Sequence, residues 1–192
     1  MKNNIDVFYK TLSIDQCNQL INYFENENDL KEGVMGGGIV DKKRKDSTDL
    51  TCNINDEKYK IYNNIILPRI SIVLNQYISL YPFLKSIRQT IYIFPHYNIQ
   101  RYKEGEGYHL LHCEHYAYTP NRVLSWIIYL NDADSGTEFP EQKVKVKVVQ
   151  GSCLIFPSFW THPHKGITPN KGKKYIISGW VDFIPKERLN LI

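Results

Sequence analysis

Residues 143–149 read KVKVKVV, in which Lys143, Lys145 and Lys147 alternate with Val144, Val146 and Val148. Successive side chains of a β-strand point to opposite faces, so this period of two sets one face in water and the other in a core. The lysines read as a charged strand surface that discourages edge pairing rather than as a ligand site. Working outward, TIYIFPHYNIQRY (90–102), RVLSWIIYL (122–130), SCLIFP (152–157) and KYIISGWVDF (174–183) are alternating or continuously apolar. The turn clusters KEGEG, NDADSG and PNKG punctuate them. About eight short strands of this kind predict a barrel or a two-sheet jelly roll from residue 89 onward.

Before residue 89 the period is helical. In SIDQCNQLINYFEN, Ser13 stands three residues before Gln16, a capping-box spacing, and Cys17, Leu20, Ile21 and Phe24 follow at helical intervals. A helix is expected over 14–26. A second stripe holds Ile66, Ile70, Val73, Leu74, Tyr77 and Ile78, with Pro68 marking a kink or a break. Between them, 30–56 is polar and glycine-rich (GVMGGGIV, then DKKRKDS) and reads as a mobile surface loop. Helices first and strands after predict an α+β chain. At 192 residues the expectation is one domain, 1–192, with helical support and loop over 1–88 and a β-rich core over 89–192.

Bulk properties exclude several classes. The chain is 42% hydrophobic and 23% charged, a globular balance. No run approaches the roughly 20 apolar residues of a membrane span. MKNNIDVFYKTLSIDQ lacks the apolar stretch of a secretion signal, so a cytoplasmic protein is expected. Cys17, Cys52, Cys113 and Cys153 form no CxxC pair and read as free, mostly buried thiols. The net charge of +4 is mild, and the basic run bounded by Asp41 and Asp46 reads as a solvated loop rather than a nucleic-acid surface.

Chemistry concentrates in YHLLHCEHY (108–116) and FWTHPHKG (159–166). On a strand, residues i and i+2 share a face about 6.6 Å apart, so His112 and Glu114 can converge on one ion while Cys113 points away. His162 and His164 repeat that spacing. Two histidines and one carboxylate on one face of an octahedron form the ligand set of non-haem Fe(II) oxygenases, with positions left for co-substrate and dioxygen. Ten residues past His164 stands Lys174, a cation suited to pairing with a carboxylate held near such an ion. By parity His109 and His115 fall off the ligand face, and Lys173 points outward. Arg122 reads as a strand-end salt bridge, Trp126 and Trp180 as core aromatics, His96 as structural, and Thr137 as a substrate-side candidate.

Five ordered pieces, QRYKEGEGYHLLHCE, RVLSWIIYLND, SGTEFP, GSCLIFPSFWTHPHKG and GKKYIISGW, resemble the catalytic core of Fe(II)- and 2-oxoglutarate-dependent dioxygenases of the prolyl 4-hydroxylase-like branch. The resemblance implies a double-stranded β-helix (jelly roll) with N-terminal helices packed on one sheet. It implies that His112, Glu114 and His164 hold iron, and that Lys174 and Tyr102 bind the distal carboxylate of 2-oxoglutarate. The ten-residue interval to the lysine favours His164 over His162. Glu114 stands where the family usually has Asp, and the presence of a carboxylate there argues against halogenation. Implied co-substrates are 2-oxoglutarate and dioxygen, with ascorbate as an accessory reductant. The expected reaction is hydroxylation of an unactivated carbon, a prolyl residue of a peptide or protein first, a free amino acid or small metabolite otherwise. Two competing readings are a cupin-like metal-binding barrel without oxidase activity, and a nucleic-acid demethylase, whose relatives use arginine where Lys174 stands.

Overall fold

The computed structural model describes residues 3–185. In chain order its elements are β1 (Asp6–Phe8), α1 (Ile14–Glu25), β2 (Lys31–Glu32), β3 (Thr48–Asn53), α2 (Lys60–Ser79), α3 (Pro82–Ser86), β4 (Ile91–Lys103), β5 (Arg122–Tyr129), β6 (Gly136–Phe139), β7 (Val144–Lys147), β8 (Cys153–Pro157), β9 (Lys165–Ile167) and β10 (Lys173–Phe183). The strands form two antiparallel sheets, one of seven in the order β1-β8-β5-β10-β4-β3-β2 and one of three in the order β7-β6-β9. This is a jelly-roll-like arrangement. No helix among the described residues is long and apolar enough to cross a membrane.

Strand parity divides the core in two. Tyr97 and Ile99 of β4, Trp126 and Ile128 of β5, Ile155 of β8 and Ile177 and Val181 of β10 join one apolar cluster. Cys17, Leu20 and Phe24 of α1 and Ile66, Ile70 and Leu74 of α2 belong to the same cluster. The alternate residues, Tyr102, Ile127, Tyr129, Leu154, Phe156 and Ile176, join Phe139 of β6 and Val146 of β7 in the second. A strand covered on both faces reads as continuously apolar, and β5 is buried from Val123 to Tyr129. The register between β10 and β4 shifts at Gly179, where an added Cβ would lie 2.1 Å from the Trp126 indole. Only glycine lets the strand pass that ring.

Local rules account for most element boundaries. Ser13 and Gln16 make the reciprocal capping box of α1, each side chain accepting from the other's backbone N–H at 3.1 Å. Pro68 stays inside α2 rather than ending it. In KVKVKVV the strand is shorter than the alternation suggests, because Lys143 takes a left-handed φ of 56° and belongs to the turn. Val146 and Val148 are buried while Lys145 and Lys147 are exposed, and Lys145 bridges Glu138 on β6 at 3.1 Å.

The expectation of a mobile loop over 30–56 fails. Residues 30–56 are not a free loop: β3 pairs with β4 in the register Asp49↔Gln100 and Leu50↔Ile99. Its polar sequence, TDLTCN, conceals a strand because Asp49 is buried against a cation. Lys45, from the basic run expected in solvent, is only 3% exposed and bonds Asp49 at 2.6 Å. The stretch ahead of β3 is pinned as well, by Gly33 N–H to Ser47 and Asp46 N–H to Gly107.

Candidate active site

The irregular segment between β4 and β5 carries His112 and Glu114, and His164 stands just before β9. His112 and His164 exchange backbone hydrogen bonds at 3.0 and 2.8 Å, an isolated bridge that sets their rings 4.4 Å apart. The backbone N–H groups of Glu114 and His115 both donate to Ser158 O, at 3.0 and 2.9 Å. These ties, not a strand through 108–116 as the spacing argument assumed, bring the two side chains together. One ligand atom from each of His112, Glu114 and His164 lies within 4.8 Å of the others.

The donor set suits a divalent metal. Nδ1 of His112 lies 2.9 Å from Leu110 O, and Nδ1 of His164 lies 3.2 Å from His162 O. Each Nδ1 therefore donates to a carbonyl, and Nε2 is the ring atom that a cation would take. Burial pushes the His164 imidazole down to about 3, so it stays neutral. Burial works against ionising Glu114, but hydrogen bonding and charge from His112, with Arg122 and His164, outweigh it and hold the carboxyl at about 2.

The three groups line a cavity of about 520 Å³ together with Lys174, Tyr102, Gln100, Thr137 and Tyr129. Lys174 is 3% exposed, donates to Ile167 O at 3.0 Å and stands over the Tyr102 ring. Burial draws its ammonium down to about 8. Tyr102 is buried, its phenol pushed well above the ordinary range by burial, and its O–H donates to Gln100 Oε1 at 3.3 Å. A buried cation beside a phenol donor fits a small dicarboxylate.

His162 is turned away: Nε2 lies 2.9 Å from Asn3 O and Nδ1 2.9 Å from Thr161 Oγ1, so only its carbonyl touches the site. His115 packs on Phe159 with Nδ1 on Arg122 O, His109 faces Thr168, and His96 lies against Phe94. Lys173 points out toward Glu25 at 3.4 Å. Thr137 bonds the Tyr129 hydroxyl at 2.8 Å in the cavity wall. Trp126 is buried, whereas Trp180 lies in the cavity wall instead of the core. Arg122 makes a salt bridge as expected, but with Glu114 itself. Trp180 was legible, since it shares parity with Lys174 along β10; nothing in the sequence marks the eight-residue pairing of Arg122 with Glu114.

Residues 97–182 match the family model of the 2OG-Fe(II) oxygenase superfamily. The chain resembles that superfamily in sequence across its β-rich core and the prolyl 4-hydroxylases in fold. Among solved structures, a prolyl hydroxylase from Trichoplax adhaerens in complex with a hypoxia-inducible-factor peptide is 17% identical, with a TM-score of 0.73 over 98% of this chain and 87% of that one. A Pseudomonas putida prolyl-4-hydroxylase is 15% identical, with a TM-score of 0.71 over 94% of each chain. The viral collagen prolyl hydroxylase of Paramecium bursaria Chlorella virus-1, in its 2OG complex, is 17% identical, with a TM-score of 0.65 over 94% of this chain and 97% of that one. Among curated proteins no sequence matches this chain.

Proposed function

We propose that the chain forms one catalytic domain, its helices supporting the large sheet, and that it is an Fe(II)- and 2-oxoglutarate-dependent hydroxylase. The observation that carries this reading is the convergence of His112, Glu114 and His164 in the cavity that also holds the buried cation Lys174. His112, Glu114 and His164 would hold Fe(II), and Lys174 with Tyr102 would hold the far carboxylate of 2-oxoglutarate. Together the bound iron and co-substrate supply oxidative hydroxylation driven by dioxygen and by decarboxylation of the keto acid.

The protein's own part is positioning and exclusion of water. Ile127, Tyr129 and Ile176 give the cavity an apolar wall beside the polar groups. Neutral His164 and ionised Glu114 need no proton transfer before they bind a cation. Lys174 offers a desolvated positive charge, with which an incoming carboxylate forms a charge-assisted pair.

The proposed substrate is a prolyl residue of a peptide, by analogy with the three fold relatives. Val34, Met35 and Ile39, ahead of β3, line the cavity beside Leu110 and Tyr116, and an extended peptide could lie between these segments. A barrel that merely binds metal has no use for a buried cation on Tyr102, which disfavours the non-oxidative alternative.

Anaerobic titration of apoprotein with Fe(II) and 2-oxoglutarate should produce a visible charge-transfer band. The band should vanish in His164→Ala and need far more 2-oxoglutarate in Lys174→Ala. A wild-type protein that binds metal tightly but gives no band would sink the proposal. Where the band forms, mass spectrometry of proline-containing peptides incubated with enzyme and dioxygen tests the substrate by the gain of one oxygen.

A further inference from the structure

We infer that Arg122 is a positioning residue that clamps Oε2 of Glu114, so that Oε1 alone is offered to a metal shared with His112 and His164. The inference rests on the metal-site reading above and deepens it. Nη1 of Arg122 donates to Glu114 Oε2 at 2.6 Å, while Oε1 lies 3.4 Å from Nε2 of His112. The two oxygens of one carboxylate thus have different partners.

The donor is itself held. The Arg122 guanidinium lies 3.7 Å from the centroid of the Trp180 ring, a stacking distance that fixes its plane. Both backbone ends of the intervening loop are tied: Glu114 O accepts from Thr119 Oγ1 at 2.6 Å, and His115 Nδ1 donates to Arg122 O at 2.9 Å. A second carboxylate, Asp182, is the cross-strand neighbour of Arg122 and is buried. Its Oδ1 has no hydrogen-bond partner among the described residues. The guanidinium therefore bonds Glu114 while a closely placed competitor keeps a bare oxygen.

A free glutamate can rotate or bind a metal through both oxygens. Tethering one oxygen removes those states and presents a single donor, as outer partners of metal ligands commonly do.

The test uses Co(II) alone as probe, titrated into apoprotein and followed by its d–d absorption, with thermal unfolding of each apoprotein alongside. Arg122→Ala should bind Co(II) roughly 10–100-fold more weakly and alter the band, as loss of an outer partner does. Arg122→Lys should recover part of the affinity, and Trp180→Leu should fall between; a merely structural role would produce neither recovery nor a changed spectrum. Affinity within twofold of wild type in Arg122→Ala, with binding lost in Glu114→Ala, overturns the clamp. If His112→Ala, Glu114→Ala and His164→Ala all bind as wild type does, the metal-site reading itself fails and the clamp falls with it. Should Arg122→Ala not fold, Arg122→Gln and Trp180→Leu carry the same comparison.

Discussion

Lys174 of β10 and Tyr102 of β4 are cross-strand partners, and the lysine Nζ stands 4.7 Å from the centroid of the tyrosine ring. The pairing stores a cation in a wall that burial would rather keep neutral. Because burial lowers this ammonium from 10.5 to about 8, its charge is at risk within the working pH range of many buffers.

2-Oxoglutarate binding should weaken above pH 8, by about tenfold per pH unit, as the carboxylate loses its cationic partner. Calorimetric titration from pH 7 to 10 checks this; a flat profile would exclude Lys174 from the subsite. The sign for folding is opposite. Between pH 8 and 10.5 the unfolded chain holds the proton and the native protein does not, so this group's contribution to stability rises with pH. In denaturant melts the advantage of Lys174→Met over wild-type apoprotein, on the order of 3 kcal/mol at pH 7, should shrink toward pH 10.

Glu114 is shifted in the same direction, so its contribution to stability also rises with pH, but in the acid range. Its carboxyl is held at about 2 against an ordinary 4.5, so its contribution is complete above 4.5 and lost as pH falls toward 2. Glu114→Gln should destabilise the apoprotein at neutral pH, and the difference should close on acidification through that window. Equal stability of the two at pH 7 would show that His112 and Arg122 give the carboxylate no net support.

Lys45 and Asp49 form a buried ion pair, and Asp49 also accepts from Ser47 Oγ at 2.7 Å and Gln100 Nε2 at 2.9 Å. Asp49→Leu strands a buried charge and should cost about 3–5 kcal/mol. Adding Lys45→Met should return at least half of that, which a double-mutant cycle measures. Additive losses would mean that the pair is not coupled.

Gly179→Ala drives a methyl into the Trp126 indole and should cost roughly 1–3 kcal/mol in urea unfolding. Trp126→Phe makes room, so the double variant should lose less than the sum of the two single changes. Strict additivity would place the strain elsewhere.

Much of the fold was legible because it is written locally. The capping box of Ser13 and Gln16, the α2 stripe from Ile66 to Ile78 and the valine face of KVKVKVV each follow from backbone period and near neighbours. β3 was not legible: its one buried charge, Asp49, is tolerable only because Lys45 reaches it, and a polar strand with a hidden partner looks like a loop.

By itself the sequence determined the strand-rich second half and named the side chains, His112, Glu114, His164, Lys174 and Tyr102, that line one cavity. Residue type offered the histidines, Glu114 and Lys174, because ligand chemistry admits few residue types, and the family resemblance added Tyr102. Only the tertiary structure decided that His162 faces away and that Arg122 grips Glu114. Each depends on which way a side chain turns where an irregular segment is pinned to another strand by backbone hydrogen bonds. No periodicity encodes such a pairing, because the partners meet only when the sheets close.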